Sequence, residues 1–401
     1  MCQTKPNPTE KKRFMFLYCF VFLPILLFTL SQVEKRPLVA NSPDANLYLS
    51  VADNFLQTGH FVQTVRAPGS YVVPFGAPLI LTVLRLLRFD LPMIVIFQYA
   101  LHGGTCLFLF KSEENVFPCG AVSPLVYTLA LFRAHLYYNC IRVECYFLFC
   151  IAGIIWCLSE RALSEKGRTI LINLFGFVGF SVRTVLIVFY IPILLHTVYL
   201  WIHKRIPRKM MVALLLFPCL ILSLNTLNNK METGHWIVTD NYAGGDIYIA
   251  NNPYTKPVYY SASMTEELVG EEYYQITNDP TLDYTEKNEI LLSLAKTWIR
   301  ENPKEFLSNT SQKFNDIFIK FWRHLLTVST ICGVIYILKW SPHKWLSILC
   351  LALNAAVAVL TSCGLIMGRY TMPVWPLASL HMSAAAHWVF GFVSKHVRKT
   401  K

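Results

Sequence analysis

Residues 184–202 read TVLIVFYIPILLHTVYLWI, a run that contains no Asp, Glu, Lys or Arg. A helix needs about 20 predominantly apolar residues to cross a bilayer, so this run predicts a membrane span. Over its 401 residues the chain is 54% hydrophobic and only 15% charged, with a mean hydropathy of +0.42. Further apolar runs lie at residues 14–31, 91–110, 117–137, 145–158, 169–182, 210–227, 323–340, 345–365 and 371–394. The sequence therefore predicts an all-α polytopic membrane protein with about ten spans.

Basic residues are concentrated in the short connections between these runs, and the formal net charge is +12. If each run crosses once, the basic clusters all lie on one face, and an excess of Lys and Arg in short loops marks the cytoplasmic side. Both termini are then cytoplasmic. The charge is explained by topology, so no nucleic-acid partner is predicted. The clusters lie at residues 11–13, 161–168, 204–209, 339–344 and 395–401.

Two alternative classes are disfavoured by local sequence. The run at 14–31 follows a basic leader, as a secretory signal does, but residues 31–35 (SQVEK) contain no small-x-small cleavage pattern. An uncleaved first span is therefore predicted. Twelve cysteines lie mostly inside apolar runs, with no CxxC pair and no Cys/His cluster at zinc spacing. Neither a disulfide framework nor a structural metal or redox site is indicated.

The topology leaves two long polar segments on the outer face and divides the chain into three parts. Residues 1–227 form an N-terminal transmembrane module that includes the first outer loop, 32–90. Residues 228–321 form an extracytoplasmic loop or lid, and residues 322–401 supply the C-terminal transmembrane helices. The apolar spacing within 286–320 predicts one or two amphipathic helices lying on the membrane surface.

The segment 72–88 decides which face of the membrane carries Glu144. It is apolar but contains Pro74, Pro78 and two arginines, so we predict a re-entrant or interface-lying helix. Asp44 and Glu144 then lie on the same outer face. If the segment crossed the membrane, Glu144 would move to the cytoplasmic side.

Several short motifs carry a family resemblance through their order along the chain. In that order they resemble segments of GT-C glycosyltransferases of the protein O-mannosyltransferase and lipid A aminoarabinose transferase type, including bacterial family 39-like members. The matches extend over nearly the whole chain. They are DANLY at 44–48, RAPGSY at 66–71, RVE at 142–144, GFSVRT at 179–184, GDIYIANNP at 245–253, WIRENP at 298–303 and RYTMP at 369–373.

The resemblance implies a GT-C-like bundle that transfers a sugar from a polyprenyl-phosphate donor, with inversion, to a hydroxyl of a glycan, lipid or protein acceptor. Such a transfer needs a base for the acceptor proton, and Asp44 is the preferred candidate. Glu144 is the second catalytic carboxylate, and a divalent metal cation shared by Asp44 and Glu144 is the one cofactor considered. The implied location is the cell (inner) membrane, or the endoplasmic reticulum membrane in a eukaryote, with an extracytoplasmic active site.

The same resemblance implies the groups that bind the substrate. Arg66, Arg183 and Arg369 are candidate phosphate clamps, because a guanidinium fork matches phosphate oxygens. Aromatic side chains that are candidates for stacking on sugar faces are Tyr48, Tyr71, Tyr137, Tyr138 and Trp236.

Simpler roles remain open for these residues. Ala45 stands where mannosyltransferases carry a second acid, which favours the looser bacterial group over protein mannosylation. Asp44 could serve as a helix N-cap, Glu144 could pair with Arg142 or Arg133, and the outer arginines could extend to lipid headgroups. Alternative functions are a lipid-linked saccharide flippase or polymerase, or a non-catalytic membrane assembly protein.

Overall fold

The computed structural model describes residues 43–62, 72–116, 122–132, 141–160, 162–183, 186–255, 266–315, 325–340, 344–363 and 374–399. Within these residues the chain is helical and contains no strand. The helices are α1 (Pro43–Thr58), α2 (Gly76–Leu86), α3 (Leu91–Val116), α4 (Val122–Phe132), α5 (Glu144–Ser159), α6 (Glu165–Val182), α7 (Leu186–Ile202), α8 (Arg208–Thr233), α9 (Ala243–Ala250), α10 (Glu266–Asn278), α11 (Tyr284–Glu301), α12 (Pro303–Asn315), α13 (Leu325–Trp340), α14 (Lys344–Cys363) and α15 (Trp375–Lys399).

The predicted apolar runs correspond to α3 through α8 and α13 through α15. The run at 14–31 lies outside the described residues. Among the described helices, α3 and α8 have 26 residues each and are long and apolar enough to cross a membrane. At 1.5 Å per residue each is about 39 Å long, longer than the roughly 30 Å hydrocarbon layer. The helical class is thus confirmed, whereas the ten-span bundle stays a prediction.

The long helices pack around one extended hydrophobic core. Helix α3 packs on α5, α5 on α6, α6 on α8, and α13 on α15. Buried residues such as Ile151, Phe180 and Leu377 connect these pairs in one cluster. Gly333 of α13 lies against the backbone of His381 in α15, where an added methyl group would overlap that backbone. Close approach of helices through small residues is typical of membrane bundles.

A fully buried carboxylate, Glu113, joins three helices inside this bundle. It lies near the end of α3 and accepts hydrogen bonds from the backbone N–H groups of Val122 and Ser123, at 3.2 and 2.8 Å. Ser383 of α15 also donates to it, and His387 Nε2 lies 3.4 Å away. Because Glu113 accepts from the N–H groups of the first turn of α4, this acid acts as a helix cap supplied by another helix.

Helix α2 is short, as expected for the segment 72–88. Its 11 residues extend about 16 Å, roughly half of a hydrocarbon layer. It ends where Arg88 adopts a left-handed φ of 62°. Arg85 Nε lies 3.5 Å from Asp53 Oδ1, which ties α2 to α1. This geometry is consistent with the predicted non-spanning helix.

The predicted outer polar segment, residues 228–321, begins within a helix. Helix α8 continues through residue 228 to Thr233, and Gly234 ends it with a left-handed φ of 80°. Glycine is favoured at this C-terminal position because it has no Cβ to strain that conformation. Four helices, α9 to α12, follow, and residues of α9, α10 and α11 form two small cores. These cores comprise Ile249, Ala250 and Val269, and Tyr248, Leu291 and Ala295.

The predicted amphipathic region, 286–320, forms two helices over its described part. Helix α11 starts with a capping box, in which the Asp283 side chain accepts from Glu286 N and Glu286 accepts from Asp283 N. The chain breaks at Asn302 because Pro303 opens α12, and the residue before a proline is disfavoured in helical conformation. The prediction of one or two helices is confirmed as two. Their placement on a membrane surface stays a prediction.

Candidate functional site

Glu144 and Arg183 form an ion pair between two adjacent helices. Glu144 is the first residue of α5, and Arg183 directly follows α6. Because α5 and α6 pack antiparallel across a short connection, the start of one meets the end of the other. Arg183 Nη2 lies 2.5 Å from Glu144 Oε1, with the two side chains 23% and 11% exposed. The structure thus brings together two residues that were singled out from separate motifs.

The end of α6 is held in place by α2. Arg183 N donates to Gly179 O at 2.9 Å, which completes the last helical turn. Gly76, the first residue of α2, lies against Ser181, and an added methyl group would overlap both the side chain and the backbone of Ser181. The lack of a side chain at Gly76 therefore allows α2 to pack directly beside the Arg183 turn.

The residues that follow α8 run back along this helix and place another acid, Asp240, near Arg183. Asn225 Nδ2 donates to Val238 O at 2.7 Å, and Asn229 Nδ2 donates to Ile237 O at 2.9 Å. Both asparagines are buried. One residue after Asp240, the side chain of Asn241 accepts a hydrogen bond from Val72 N at 3.1 Å, linking this segment to the start of α2. These bonds fix the backbone on either side of Asp240.

The electrostatic environment of Asp240 is unusual for a surface acid. Burial raises the pKa of its carboxyl group above the ordinary value, whereas backbone N–H groups of Tyr242 and Ala243 and the Arg183 charge act in the opposite direction. Burial prevails because desolvation disfavours the charged form. Among the described residues, no donor reaches the buried Asp240 Oδ1. Asp240 is therefore a carboxyl group whose proton affinity is increased close to a guanidinium.

Two tyrosines complete this group. Burial raises the pKa of Tyr242 well above its ordinary value, the Asp240 carboxylate and Tyr48 raise it further, and Arg183 lowers it. Tyr48 is itself buried in α1, with 7% of its surface exposed. We call Tyr48, Glu144, Arg183, Asp240 and Tyr242 the Arg183 cluster. It combines segments from four separate parts of the chain.

Asp44, the predicted base, is close to this cluster along α1. The helix begins at Pro43, so Asp44 lies inside the first turn and not at the preceding N-cap position. It precedes Tyr48 by one helical turn, about 6 Å along the axis. An acid in this turn is favoured by the helix dipole. The Asp44 side chain lies outside the described residues.

The other predicted site residues fall into two groups. Trp236 is 71% exposed, and the ammonium of Lys230 lies 5.4 Å from its ring, a cation–π contact at the surface. Glu144 pairs with Arg183, and Arg133, one of the two partners named in the ion-pair alternative, lies outside the described residues. Residues of the predictions that lie outside the described ranges are Arg66, Tyr71, Arg133, Tyr137, Tyr138 and Arg369.

The arrangement of metal-ligating side chains adds no support for a divalent cation shared by Asp44 and Glu144. Across the described ranges, His, Cys, Asp and Glu do not come together in groups of three or more. Glu144 offers one oxygen to Arg183 already. A metal held by Asp44 and Glu144 stays a prediction, since the described part of Asp44 is its backbone.

Sequence reasoning missed Asp240 and the asparagines that position it. The available signal was the pair Asn225 and Asn229, four residues apart and hence on one face of an otherwise apolar helix. Polar residues in a membrane span are costly and usually have an identifiable partner. That partner is the segment 237–239, which carries Asp240 at its end.

The chain matches no family model, no curated protein and no solved structure. The motif resemblance to GT-C glycosyltransferases therefore stays a prediction, and it is weighed below together with the geometry of the Arg183 cluster.

Proposed function

We propose that this chain is a multi-pass membrane glycosyltransferase that moves a sugar from a polyprenyl-phosphate donor to an acceptor hydroxyl. The single observation that supports it most is the Arg183 cluster, in which a guanidinium lies beside two carboxyl groups and two tyrosines. A phosphate-binding cation and a proton-accepting carboxylate are the two elements that such a transfer requires. The order of GT-C-like motifs is the second support.

In the proposed reaction the acceptor hydroxyl gives its proton to a carboxylate, and its oxygen attacks the anomeric carbon of the donor. The bond between that carbon and the phosphate oxygen breaks, and the polyprenyl phosphate leaves with the electron pair. Asp44 is the proposed base. Arg183 is proposed to stabilise the negative charge that develops on the leaving phosphate, because a guanidinium binds phosphate oxygens through charge-assisted hydrogen bonds.

Glu144 and Asp240 have distinct proposed roles. Glu144 orients Arg183 through their ion pair, so it positions the phosphate ligand. Asp240 is the alternative base, because its raised pKa lies closer to neutral pH than that of an ordinary aspartate, where base catalysis is most effective. A divalent cation at Asp44 and Glu144 would add positive charge near the phosphate. Chelation of the purified protein tests that requirement.

The proposed setting is a bundle of about ten spans with outer-face juxtamembrane helices. Helices α3 and α8 have the length and composition of membrane spans. Basic residues cluster in the short connections, as at residues 204–209 on the predicted cytoplasmic side. The Arg183 cluster lies at the opposite end of α6 from Glu165, and hence on the extracytoplasmic face of this arrangement. The proposed compartments are the cell (inner) membrane, or the endoplasmic reticulum membrane in a eukaryote.

The test uses the purified chain in lipid nanodiscs with a panel of labelled polyprenyl-phosphate hexoses and pentoses, together with envelope glycan, lipid and protein acceptors. We expect release of polyprenyl phosphate coupled to label transfer for at least one donor. In sealed vesicles a flippase would move label across the bilayer without cleaving the donor. An assembly protein would leave the donor intact and in place. Either of these outcomes would overturn the proposal.

A further inference from the structure

A cavity of about 310 Å³ opens at the end of the bundle opposite the Arg183 cluster. It lies between the last turn of α5, the first turns of α6 and α8, and the last turns of α7. Its walls are largely apolar and include Ile172, Ile193, Leu200 and Leu214. Because a water molecule occupies about 30 Å³ in the liquid, the cavity has room for a ligand segment much larger than a single water.

The charged side chains at the rim of this cavity differ in whether another charged residue already pairs with them. Arg168 Nη1 lies 2.5 Å from Glu165 Oε1, so these two rim residues neutralise each other. Arg168 also donates from Nε to Cys157 O and from Nη2 to Glu160 O, at 3.0 and 2.8 Å. Its guanidinium therefore satisfies backbone carbonyl groups at the end of α5.

Arg205 differs because its side chain is exposed at the rim, and no ion pair with another described residue involves it. Its backbone N–H donates to Leu200 O at 2.9 Å, which holds the connection against the end of α7. This connection, residues 203–209, reads HKRIPRK and contains four Lys or Arg residues. Helix α8 begins within it, so its N-terminal N–H groups add partial positive charge at the same end.

Positive charge above an apolar cleft is complementary to an amphiphile with an anionic head. A free anion would use the rim but not the apolar walls, and a zwitterionic lipid would not gain from the net positive charge. Basic pockets between membrane helices on the cytoplasmic side bind anionic lipid headgroups. We propose that this cavity binds one anionic phospholipid, with its phosphate at Arg205 and an acyl chain between α6, α7 and α8.

This inference is separate from the proposed sugar transfer. It requires only that these helices lie in a bilayer. The two sites lie at opposite ends of the 18-residue helix α6, about 27 Å apart along its axis. Loss of one site therefore leaves the geometry of the other unchanged.

The test is native mass spectrometry of the purified full chain, released from detergent that contains equal amounts of phosphatidylglycerol and phosphatidylcholine. We expect retention of one phosphatidylglycerol. Arg205→Gln should weaken retention about fivefold, the contribution of one basic residue near an anionic lipid. Thr197→Trp, which narrows the cavity from its buried wall, should also reduce retention. Arg300→Gln, which changes an exposed arginine on α11, is the matched control and should retain lipid as the parent does.

Several outcomes would overturn this proposal. Equal retention of the two lipids would show that the positive rim has no role. Unchanged retention in both Arg205→Gln and Thr197→Trp would place the lipid elsewhere. Displacement of lipid by millimolar inorganic phosphate would identify a free-anion site.

Two controls accompany these measurements. Melting temperatures measured in lipid-free detergent show whether each variant folds. Raising the ionic strength should weaken retention of phosphatidylglycerol by the parent, which tests the role of charge without a substitution.

Discussion

The two ends of α6 each carry an arginine, and the partners of these arginines differ in kind. Arg168, in the first turn, donates to backbone carbonyl groups at the end of α5 and pairs with Glu165 on its own helix. Arg183, after the last turn, pairs with Glu144 on another helix and lies near Asp240, which comes from a third segment. The same residue type thus completes a helix end at one site and joins carboxyl groups from separate segments at the other.

This difference separates structural from chemical roles. Carbonyl groups at a helix end cannot change their charge, and the Glu165 carboxylate beside Arg168 is exposed to solvent, so Arg168 is expected to contribute to folding. Carboxyl groups and tyrosines exchange protons, and an arginine among them controls their proton affinity. Substitutions at the two ends of α6 should therefore affect different measurements.

The largest expected effect is at the base proposed for the Arg183 end. Asp44→Asn should lower turnover by roughly 10²- to 10⁴-fold, the usual contribution of a general base. Asn keeps the size of the side chain and the start of α1, so the variant should still fold and insert. Steady-state transfer from a polyprenyl-phosphate sugar is the measurement, with melting temperature as the folding control. Near-normal turnover would show that Asp44 is not the base.

A direct comparison of the two arginines comes next. Arg183→Lys keeps the charge but loses the planar fork, so kcat/KM for the donor should fall about tenfold, which equals about 1.4 kcal/mol. Arg168→Lys loses hydrogen bonds to carbonyl groups and should lower the free energy of unfolding by about 1–3 kcal/mol, with kcat/KM per folded molecule unchanged. If the two variants lowered kcat/KM equally and the free energy of unfolding equally, the proposed difference between Arg183 and Arg168 would be wrong.

Asp240 should affect the pH profile more than the maximal rate. Since burial raises its pKa, the active ionised form is lost as pH falls through that raised value. With Asp44 as the base, Asp240→Asn should move the acidic limb of kcat/KM to lower pH, because it removes a titrating carboxyl group from the Arg183 cluster. A fall in turnover of about 10²-fold or more at every pH would instead identify Asp240 as the base. An unchanged acidic limb would exclude Asp240 from the titrating group.

Stability provides the control for that substitution. A carboxyl group whose folded-state pKa is raised stabilises the fold at low pH, and this contribution is lost as pH rises through the folded pKa. The neutral Asn avoids the desolvation cost of a buried charge. Asp240→Asn should therefore melt no lower than the parent at neutral pH, and a lower melting temperature would point to a structural role instead.

The last expected effect is on stability and not on transfer, and it concerns the packing beside Arg183. Gly76→Ala introduces a methyl group that overlaps Ser181, and such overpacking costs about 1–3 kcal/mol of stability. Gly103→Ala is the matched control, because the space around an added Cβ at Gly103 is open to 4 Å. Thermal unfolding of both variants is the measurement. Equal melting temperatures would show that α2 can shift without cost.

Periodicity and composition predicted the helical fold well, because apolar runs and proline breaks are local signals. The runs at 184–202 and 210–227 correspond directly to α7 and α8. The predicted domain boundary at 228 falls inside α8, since Asn228 to Thr233 are mostly polar but still helical. Composition marks where apolar character ends, whereas a helix ends where its backbone is capped, here at Gly234.

The candidate site was predicted in part. Glu144 and Arg183 each appeared in a motif, but their pairing depends on the antiparallel packing of α5 and α6, which no local pattern specifies. Asp240 was missed because it follows no recognisable motif. Its position comes from hydrogen bonds of Asn225 and Asn229 to a returning segment, and such long-range contacts are set by tertiary structure.

The length of α8 determines how deep in the membrane the proposed chemistry takes place. Asn225 lies about 26 Å along the axis from the basic start of the helix at Arg208, close to the outer boundary of a roughly 30 Å hydrocarbon layer. It binds the segment that ends at Asp240, so in the proposed ten-span arrangement the Arg183 cluster lies at the level of the lipid phosphate groups. In the proposed enzyme the donor can therefore diffuse within the plane of the membrane with its tail still in lipid. A water-soluble acceptor would approach at right angles to that plane.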